Sequence, residues 1–294
     1  QIRAAVLEVT LAAYAVAALL LGGIAWVVAG NVRRPLDQII AATATIEHGR
    51  FDAGTFVARR DEFGILGRRL ERMARGLEER EYIRATFGRY VDPEVVRRAL
   101  SSPDSVRPGG EERQVTTLVS DLRGYSTLSE RLAPTQVVEL LNAYLGAMTE
   151  VLEAHGGCIV EFLGDGIVAV FNAPAHQPDH AERAVRCALA MRARLGELNR
   201  EWRASGFGPL AAVDGGAVLG ARVGIHSGMV VAGNLGGVQH VKYSVVGDAV
   251  TVAAFLEGHN KELGTDLLLS WDTWVRLPAR LRSSASGRGE VRVP

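Results

Sequence analysis

Cysteine is all but missing from this chain: 294 residues carry two, Cys158 and Cys187, each among apolar neighbours. Two thiols so placed supply neither a disulfide framework nor the paired spacing of a thiolate metal site, and they read as reduced, buried side chains. A charge excess is missing too. Lys and Arg total 33 against 33 Asp and Glu, which leaves no basic surplus of the kind a nucleic-acid partner requires, so none is expected. The chain opens on Gln1 rather than Met, and the expectation is a segment that begins inside a longer protein. Its length predicts more than one domain.

Charged residues are absent altogether from Val9 to Gly30, VTLAAYAVAALLLGGIAWVVAG. At about 1.5 Å per residue, such a run crosses the ~30 Å hydrocarbon core of a lipid bilayer. A buried core helix is the other reading, but the length and the Ala and Leu content favour a span. Trp26 sits where an interfacial aromatic belongs. Arg33 and Arg34 follow at once, which predicts a cell (inner) membrane protein with everything after them cytoplasmic. The helical pattern continues with no cleavage-like end, so the run is not a signal peptide.

From Pro35 the pattern becomes amphipathic. Leu36, Ile39, Thr43 and Ile46 are spaced 3, 4, 3; HGRFDAGTF interrupts; Phe63, Leu66, Leu70, Met73 and Leu77 resume at 3, 4, 3, 4. That spacing calls for association with other helices. Two helices of one globular domain would satisfy it. Placed directly after a span, however, "RRPLDQI" and "RRDEFGILGRRLERM" resemble a HAMP relay, with Pro35 and Glu62 at the positions the family uses. The resemblance implies a parallel four-helix bundle in a dimer that passes a small helix movement onward. In the linker that follows, Asp92 is positioned to cap a helix starting at Pro93, and the turn-rich SSPDSVRPGGEER reads as a surface connector.

Beyond Gln114 strands and helices mix. VTTLVSD, LGARVGIHSG, YSVVG and DLLLS read as strands, GCIVEF and GIVAVF as a hairpin turning at Leu163–Gly166. Pro134–Ala154, His180–Trp202 and Ala249–Lys261 read as helices. The class is α+β.

Asp121 ends the first of these strands and Asp165 stands in the hairpin turn, four residues after Glu161. If the two strands are neighbours, both carboxylates meet at one edge, and a divalent cation resolves their repulsion. Mg²⁺ takes one or two carboxylates plus phosphate oxygens, and the backbone N–H groups of Gly124, Tyr125, Ser126 and Thr127, opening a helix, favour a phosphate. Taken alone, the same residues are also ordinary turn chemistry.

The wider text chooses between these. "VSDLRGYSTLSE", "VEFLGDGIVAVFNAP", "PDHAERAVRCALAM", "VGIHSGMVVAGNLGG" and "YSVVGDAVTVAAFLEGHNKELGTDLLLS" resemble, in order from about Gln114 to Trp274, the class III nucleotidyl (adenylyl/guanylyl) cyclase catalytic domain. The resemblance implies a ferredoxin-like βαβ core, a head-to-tail homodimer or heterodimer with another cyclase domain, and two Mg²⁺ or Mn²⁺ ions held by Asp121, Asp165 and Leu122. It also implies conversion of ATP or GTP to the 3′,5′-cyclic monophosphate and pyrophosphate. The expected divisions are a transmembrane helix at 4–31, the HAMP relay at 32–80, a coupling linker at 81–112 and the catalytic domain at 113–294. No GGDEF-like run is present, which argues against a diguanylate cyclase.

In that family one chain supplies the metal carboxylates, and the other a base-reading pair, an Asn for the ribose and an Arg for the transition state. The first base-reading position is Glu161, an acceptor suited to guanine N–H groups, although a solvated strand-end charge would look the same. The second is Ser244, whose hydroxyl decides little. The Asn and Arg positions are Thr251 and Phe255. Loss of one preorganised donor costs about 10²–10³ in rate, so a homodimer is expected to be feeble. "DAVTVAAFLE" resembles the first catalytic half of animal membrane adenylyl cyclases, whose partner half supplies the missing pair, and this implies a metal-giving half of a heterodimer. A catalytically degenerate, nucleotide-binding regulator is the alternative. His226 reads as a satisfied strand-end residue, His240 and His259 as surface, and the glycine run 232–237 as a turn facing a dimer partner. The family's triphosphate-binding basic residue lies on closing strands, so it is expected beyond Pro294; Arg282 and Arg288 cannot be assigned to it.

Overall fold

The computed structural model describes residues 2–51, 60–88, 92–101, 107–207, 218–237 and 240–293. The chain divides into two compact units, Gln1–Phe87 and Gly88–Pro294.

The first unit is helical. Helix α1 (Ile2–Val28) passes through a π-helical turn, Ala29–Arg33, straight into α2 (Arg34–Glu47). The widened turn immediately precedes Pro35, whose missing N–H and ring clash forbid a normal i→i−4 bond there. The apolar stretch, of mean hydropathy 2.2, has none of its surface buried within the chain, and Leu19 and Trp26 are 77% and 80% exposed. Helix α3 (Glu62–Phe87) packs on α2, burying Leu70 and Ala74 together with Ala42. Of the heptad residues, Leu66 and Met73 stay about half exposed, as do Leu36 and Ile40. The loop HGRFDAGTF lies largely outside the described residues.

The second unit opens with α4 (Pro93–Ser101), capped as expected: Glu94 N–H donates to Asp92 Oδ1 at 2.9 Å. Then come β1 (Gly109–Arg123), α5 (Tyr125–Ser129), α6 (Pro134–Ala154), β2 (Cys158–Leu163), β3 (Gly166–Phe171), α7 (His180–Ser205), β4 (Gly220–Gly237), β5 (His240–Val246), α8 (Asp248–Leu263), β6 (Leu267–Leu269), α9 (Trp271–Trp274) and α10 (Ala279–Arg282). The strands form one sheet in the order β2-β3-β1-β4-β5, with β6 parallel beside β4 and the other pairs antiparallel. The succession β1-α6-β2-β3-α7-β4 with that order is the ferredoxin-like arrangement expected from the sequence.

Period-two alternation divides the sheet between two cores. Leu118 and Leu122 of β1 and Ile167, Ala169 and Phe171 of β3 face α6 and α7, where Tyr144, Met148, Leu152 and Met191 close the larger core. Val115, Val119, Val168 and Val170 point the other way, towards Ala249 and Ala253 of α8 and Val95 of α4. Strand β3 is therefore buried along its whole length, which is why it reads as a continuous apolar run.

Two expectations fail here. Gly109 to Arg113, read as connector, is the first third of β1 and pairs with β4 from Gly109↔Asn234 to Arg113↔Val230. Its side chains face solvent on both sides, so no burial pattern marks it. The glycine run 232–237 is extended strand, not a turn. A Cβ on Gly233 would lie 2.2 Å from Gly109 O, so the glycine is required by the close approach of two backbones.

Candidate active site

Asp121 lies on β1 opposite Arg222 of β4. Asp165 occupies the two-residue turn between β2 and β3, where Gly164 takes φ 67°, the left-handed conformation such a turn needs. Gly166 holds the turn against β1: a Cβ there would meet Leu163 O and Ser120 O at 3.2 Å each. The two carboxylates consequently converge. Leu122 N–H donates to Asp165 Oδ2 at 3.2 Å, and Arg222 Nη2 donates to Asp121 Oδ2 at 3.0 Å. Burial first, and then the neighbouring Asp121 carboxylate, push Asp165 up to about 6. Burial, then the charge of Asp165, also raises the Tyr125 phenol.

Arg222 was not foreseen. Its Nε donates to Glu257 Oε1 of α8 at 3.0 Å, so one guanidinium bridges a site carboxylate and a helix carboxylate. The available signal was a cation in an otherwise buried strand, two residues before Gly224. Burial, followed by the charge of Asp121, raises the Glu257 carboxyl.

The donor set fits a hard divalent cation. The two carboxylates, linked through the Leu122 N–H, could hold one together with the Leu122 backbone carbonyl. Among the described residues no cluster of three or more His, Cys, Asp or Glu could hold a metal, so the remaining coordination would come from water or phosphate oxygens. Gly124, at φ 81°, turns the chain from β1 into α5, and the N–H groups of Tyr125, Ser126 and Thr127 open that short helix four to six residues past Asp121.

The other expected residues stand elsewhere on the sheet. Glu161 follows a bulge in β2, is exposed, and accepts from Lys242 Nζ at 2.7 Å. Lys242 and Ser244 share one face of β5. Among the described residues no hydrogen bond or ion pair joins these three to the carboxylate pair. Lys242 was missed too, although it lies one side-chain period before Ser244. Thr251 is exposed in the first turn of α8. Phe255 stacks on His259, with ring centroids 5.5 Å apart. His259 is therefore not a surface residue: its side chain is 16% exposed and pairs with Glu262 at 2.9 Å. His226 is satisfied by Ser270 Oγ at 2.8 Å. His240 is exposed, as expected.

A ferredoxin-like sheet with paired carboxylates at a strand end and a hairpin turn defines a nucleotidyl cyclase type of domain. Residues 109–294 match the adenylate and guanylate cyclase catalytic domain, and residues 27–79 match the HAMP domain. The chain belongs to the adenylate and guanylate cyclase catalytic-domain family, with a HAMP domain on its N-terminal side. It is 38% identical over 185 residues to adenylate cyclase 1 of Rhizobium meliloti, covering 63% of this chain and 26% of that one. It is 31% identical over 248 residues to an uncharacterized protein of Mycobacterium tuberculosis, covering 84% and 43%. The chain thus spans less than half the length of these relatives. The guanylyl cyclase Cya2 superposes with a TM-score of 0.52 at 38% identity, over 59% of this chain and 82% of that one. A bacterial light-regulated adenylyl cyclase, 24% identical, shares the fold with a TM-score of 0.61 over 72% and 58%.

Proposed function

We propose that this chain is a membrane-anchored signalling cyclase that converts ATP or GTP to the 3′,5′-cyclic monophosphate and pyrophosphate at the interface of two catalytic domains. The observation that carries the reading is the convergence of Asp121 and Asp165, linked through Leu122 N–H. These two side chains, with the Leu122 carbonyl, would hold two Mg²⁺ or Mn²⁺ ions. Bound there, such ions would supply Lewis-acid chemistry, activation of the ribose 3′-hydroxyl and charge balance for the leaving phosphates. The opening turn of α5, Gly124 to Thr127, faces the triphosphate. On the opposing chain, Glu161 accepts from purine N–H groups, and the Ser244 hydroxyl takes or gives a hydrogen bond. Lys242, held beside Glu161, adds a donor, so a homodimer would favour guanine, which offers both N–H donors and a carbonyl oxygen.

The span at 4–31 anchors the protein, and the relay at 32–80 and the linker after it, which ends where β1 begins at Gly109, pass movement to the catalytic domain on the cytoplasmic side. The half-exposed Leu36, Ile40, Leu66 and Met73 suit a second copy packing in parallel. Helix movement then acts by changing how two catalytic domains face each other.

A second reading is favoured by a specific observation. Phe255 engages its ring with His259, and neither it nor Thr251 brings a cation to the site. The chain then serves as the metal-giving half of a heterodimer, or as a nucleotide-binding regulator without turnover. The test is a cyclase assay of the purified chain with ATP and with GTP, under Mn²⁺ and under Mg²⁺. Low turnover abolished by Asp165→Asn supports the enzyme. Nucleotide binding without turnover, joined by a gain on mixing with a cyclase domain that carries the Asn and Arg, supports the heterodimer half. Absence of both would remove the cyclase reading.

A further inference from the structure

Arg222 reaches two carboxylates at once: its Nη2 lies 3.0 Å from Asp121 Oδ2 and its Nε 3.0 Å from Glu257 Oε1. Its side chain is 17% exposed and that of Glu257 13%, against 32% for Asp121. The contact with Glu257 is thus the more enclosed of the two. The fold enforces it. A Cβ on Gly224 would lie 2.1 Å from Ala253 O and 2.3 Å from Glu257 N, so helix α8 rests directly on the β4 backbone, one period beyond Arg222. Asn260, fully buried, fastens the same seat by donating to Val223 O at 3.0 Å. The backbone of Glu257 is therefore held beside Arg222 by the seat of the helix.

We propose that Glu257 is a positioning residue that sets the affinity of the Asp121–Asp165 pair for divalent cations. It does so by holding the charge of Arg222 away from Asp121. The inference rests on the reading of that pair as a cation site. Arg222 and an incoming cation compete for Asp121 Oδ2. With Glu257 ionised, the guanidinium stays anchored through Nε, and only its Nη2 contact gives way when a cation arrives. Without that carboxylate, the whole guanidinium charge leans on Asp121, and the cation must displace it. Glu257 makes no hydrogen bond to Asp121 or Asp165, so beyond the direct field of its charge its influence runs through Arg222.

The experiment measures Mn²⁺ binding to the full chain in detergent, by calorimetry or by loss of the free-ion electron paramagnetic resonance signal, with Asp165→Asn defining the background. Glu257→Gln is expected to weaken the Asp165-dependent binding roughly three- to fivefold, the scale of one partly exposed charge contact. Arg222→Met is expected to tighten it, because the competitor is gone. In the Arg222→Met background Glu257→Gln should cost distinctly less than in the wild type, since the part carried by the guanidinium is gone. General damage to the fold would move both single variants the same way, and thermal midpoints in EDTA report it independently. Unchanged Mn²⁺ affinity in Glu257→Gln, or an equal weakening in the Arg222→Met background, overturns the inference while leaving the cation site in place. Binding by the wild type that Asp165→Asn does not reduce overturns the cation reading and the inference with it.

Discussion

On the proposed reading, Phe255 and Thr251 stand where the family carries an Arg and an Asn. A phenyl ring offers no donor to a developing phosphorane charge, and a threonine hydroxyl reaches less far than an asparagine amide. Replacing them by Arg and Asn restores two preorganised donors, each worth on the order of 10²–10³ in kcat. Thr251→Asn with Phe255→Arg is therefore expected to raise homodimer turnover at least tenfold, read by cyclic nucleotide production. No gain would mean that the site is deficient elsewhere. Two histidines give a different kind of test. His180 Nδ1 meets Thr116 Oγ1 at 2.7 Å, Thr116 meets Ser227, Ser227 meets Thr273, and Ser270 joins Thr273 to His226. Burial, reinforced by Arg276, holds both imidazoles below their ordinary value of 6.5. A depressed histidine favours the neutral folded form. Its contribution is full above about 6.5 and is lost as pH falls through the folded value. The urea midpoint of the catalytic unit is expected to fall on acidification from pH 7 to pH 5. His180→Gln should flatten that fall, and an unchanged slope would mean that the network does not carry the proton linkage.

At the scale of elements, the seat of α8 on β4 determines where Glu257 and the degenerate pair stand. Gly224→Ala would drive a methyl into the Ala253 carbonyl and the Glu257 amide. Backbone on both sides leaves nowhere for it to go, and overpacking of this kind costs about 1–3 kcal/mol. Equilibrium urea unfolding measures it; a loss below about 0.5 kcal/mol would mean that the helix shifts freely. Much of the element plan was legible. Helix α6 spans the predicted residues, the hairpin turns where Gly-Asp-Gly predicts, and α7 and α8 depart by a few residues at their ends. These segments carry strong local signals: proline at a helix start, glycine at a turn, and apolar residues at a steady period. The start of β1 was not legible, because a strand exposed on both faces leaves no alternation, and the far end of β4 was not because glycines interrupt its pattern. Glycines that permit strand contact look like turn glycines in one dimension.

For the whole molecule, the unburied side of the relay carries the prediction. Leu66 and Met73 lie at heptad spacing yet remain 48% and 52% exposed, and charge at such positions opposes association. Leu66→Glu with Met73→Glu is expected to shift detergent-solubilised protein from dimer towards monomer in sedimentation, and to lower turnover in parallel. A dimer that survives unchanged would mean that the relay helices do not mediate association.

By itself the sequence determined the α+β class, the apolar helix, the relay and the pairing of Asp121 with Asp165. Each of these is written in local periodicity, in turn chemistry or in a motif of fixed spacing. Only the tertiary structure decided which charges meet. Arg222 joins Asp121 because β1 and β4 pair in one register, and reaches Glu257 because Gly224 lets α8 touch the strand. Lys242 joins Glu161 because separate strands bring their side chains together. Such contacts depend on register and on helix-to-sheet distance, and neither quantity has a signature along the chain.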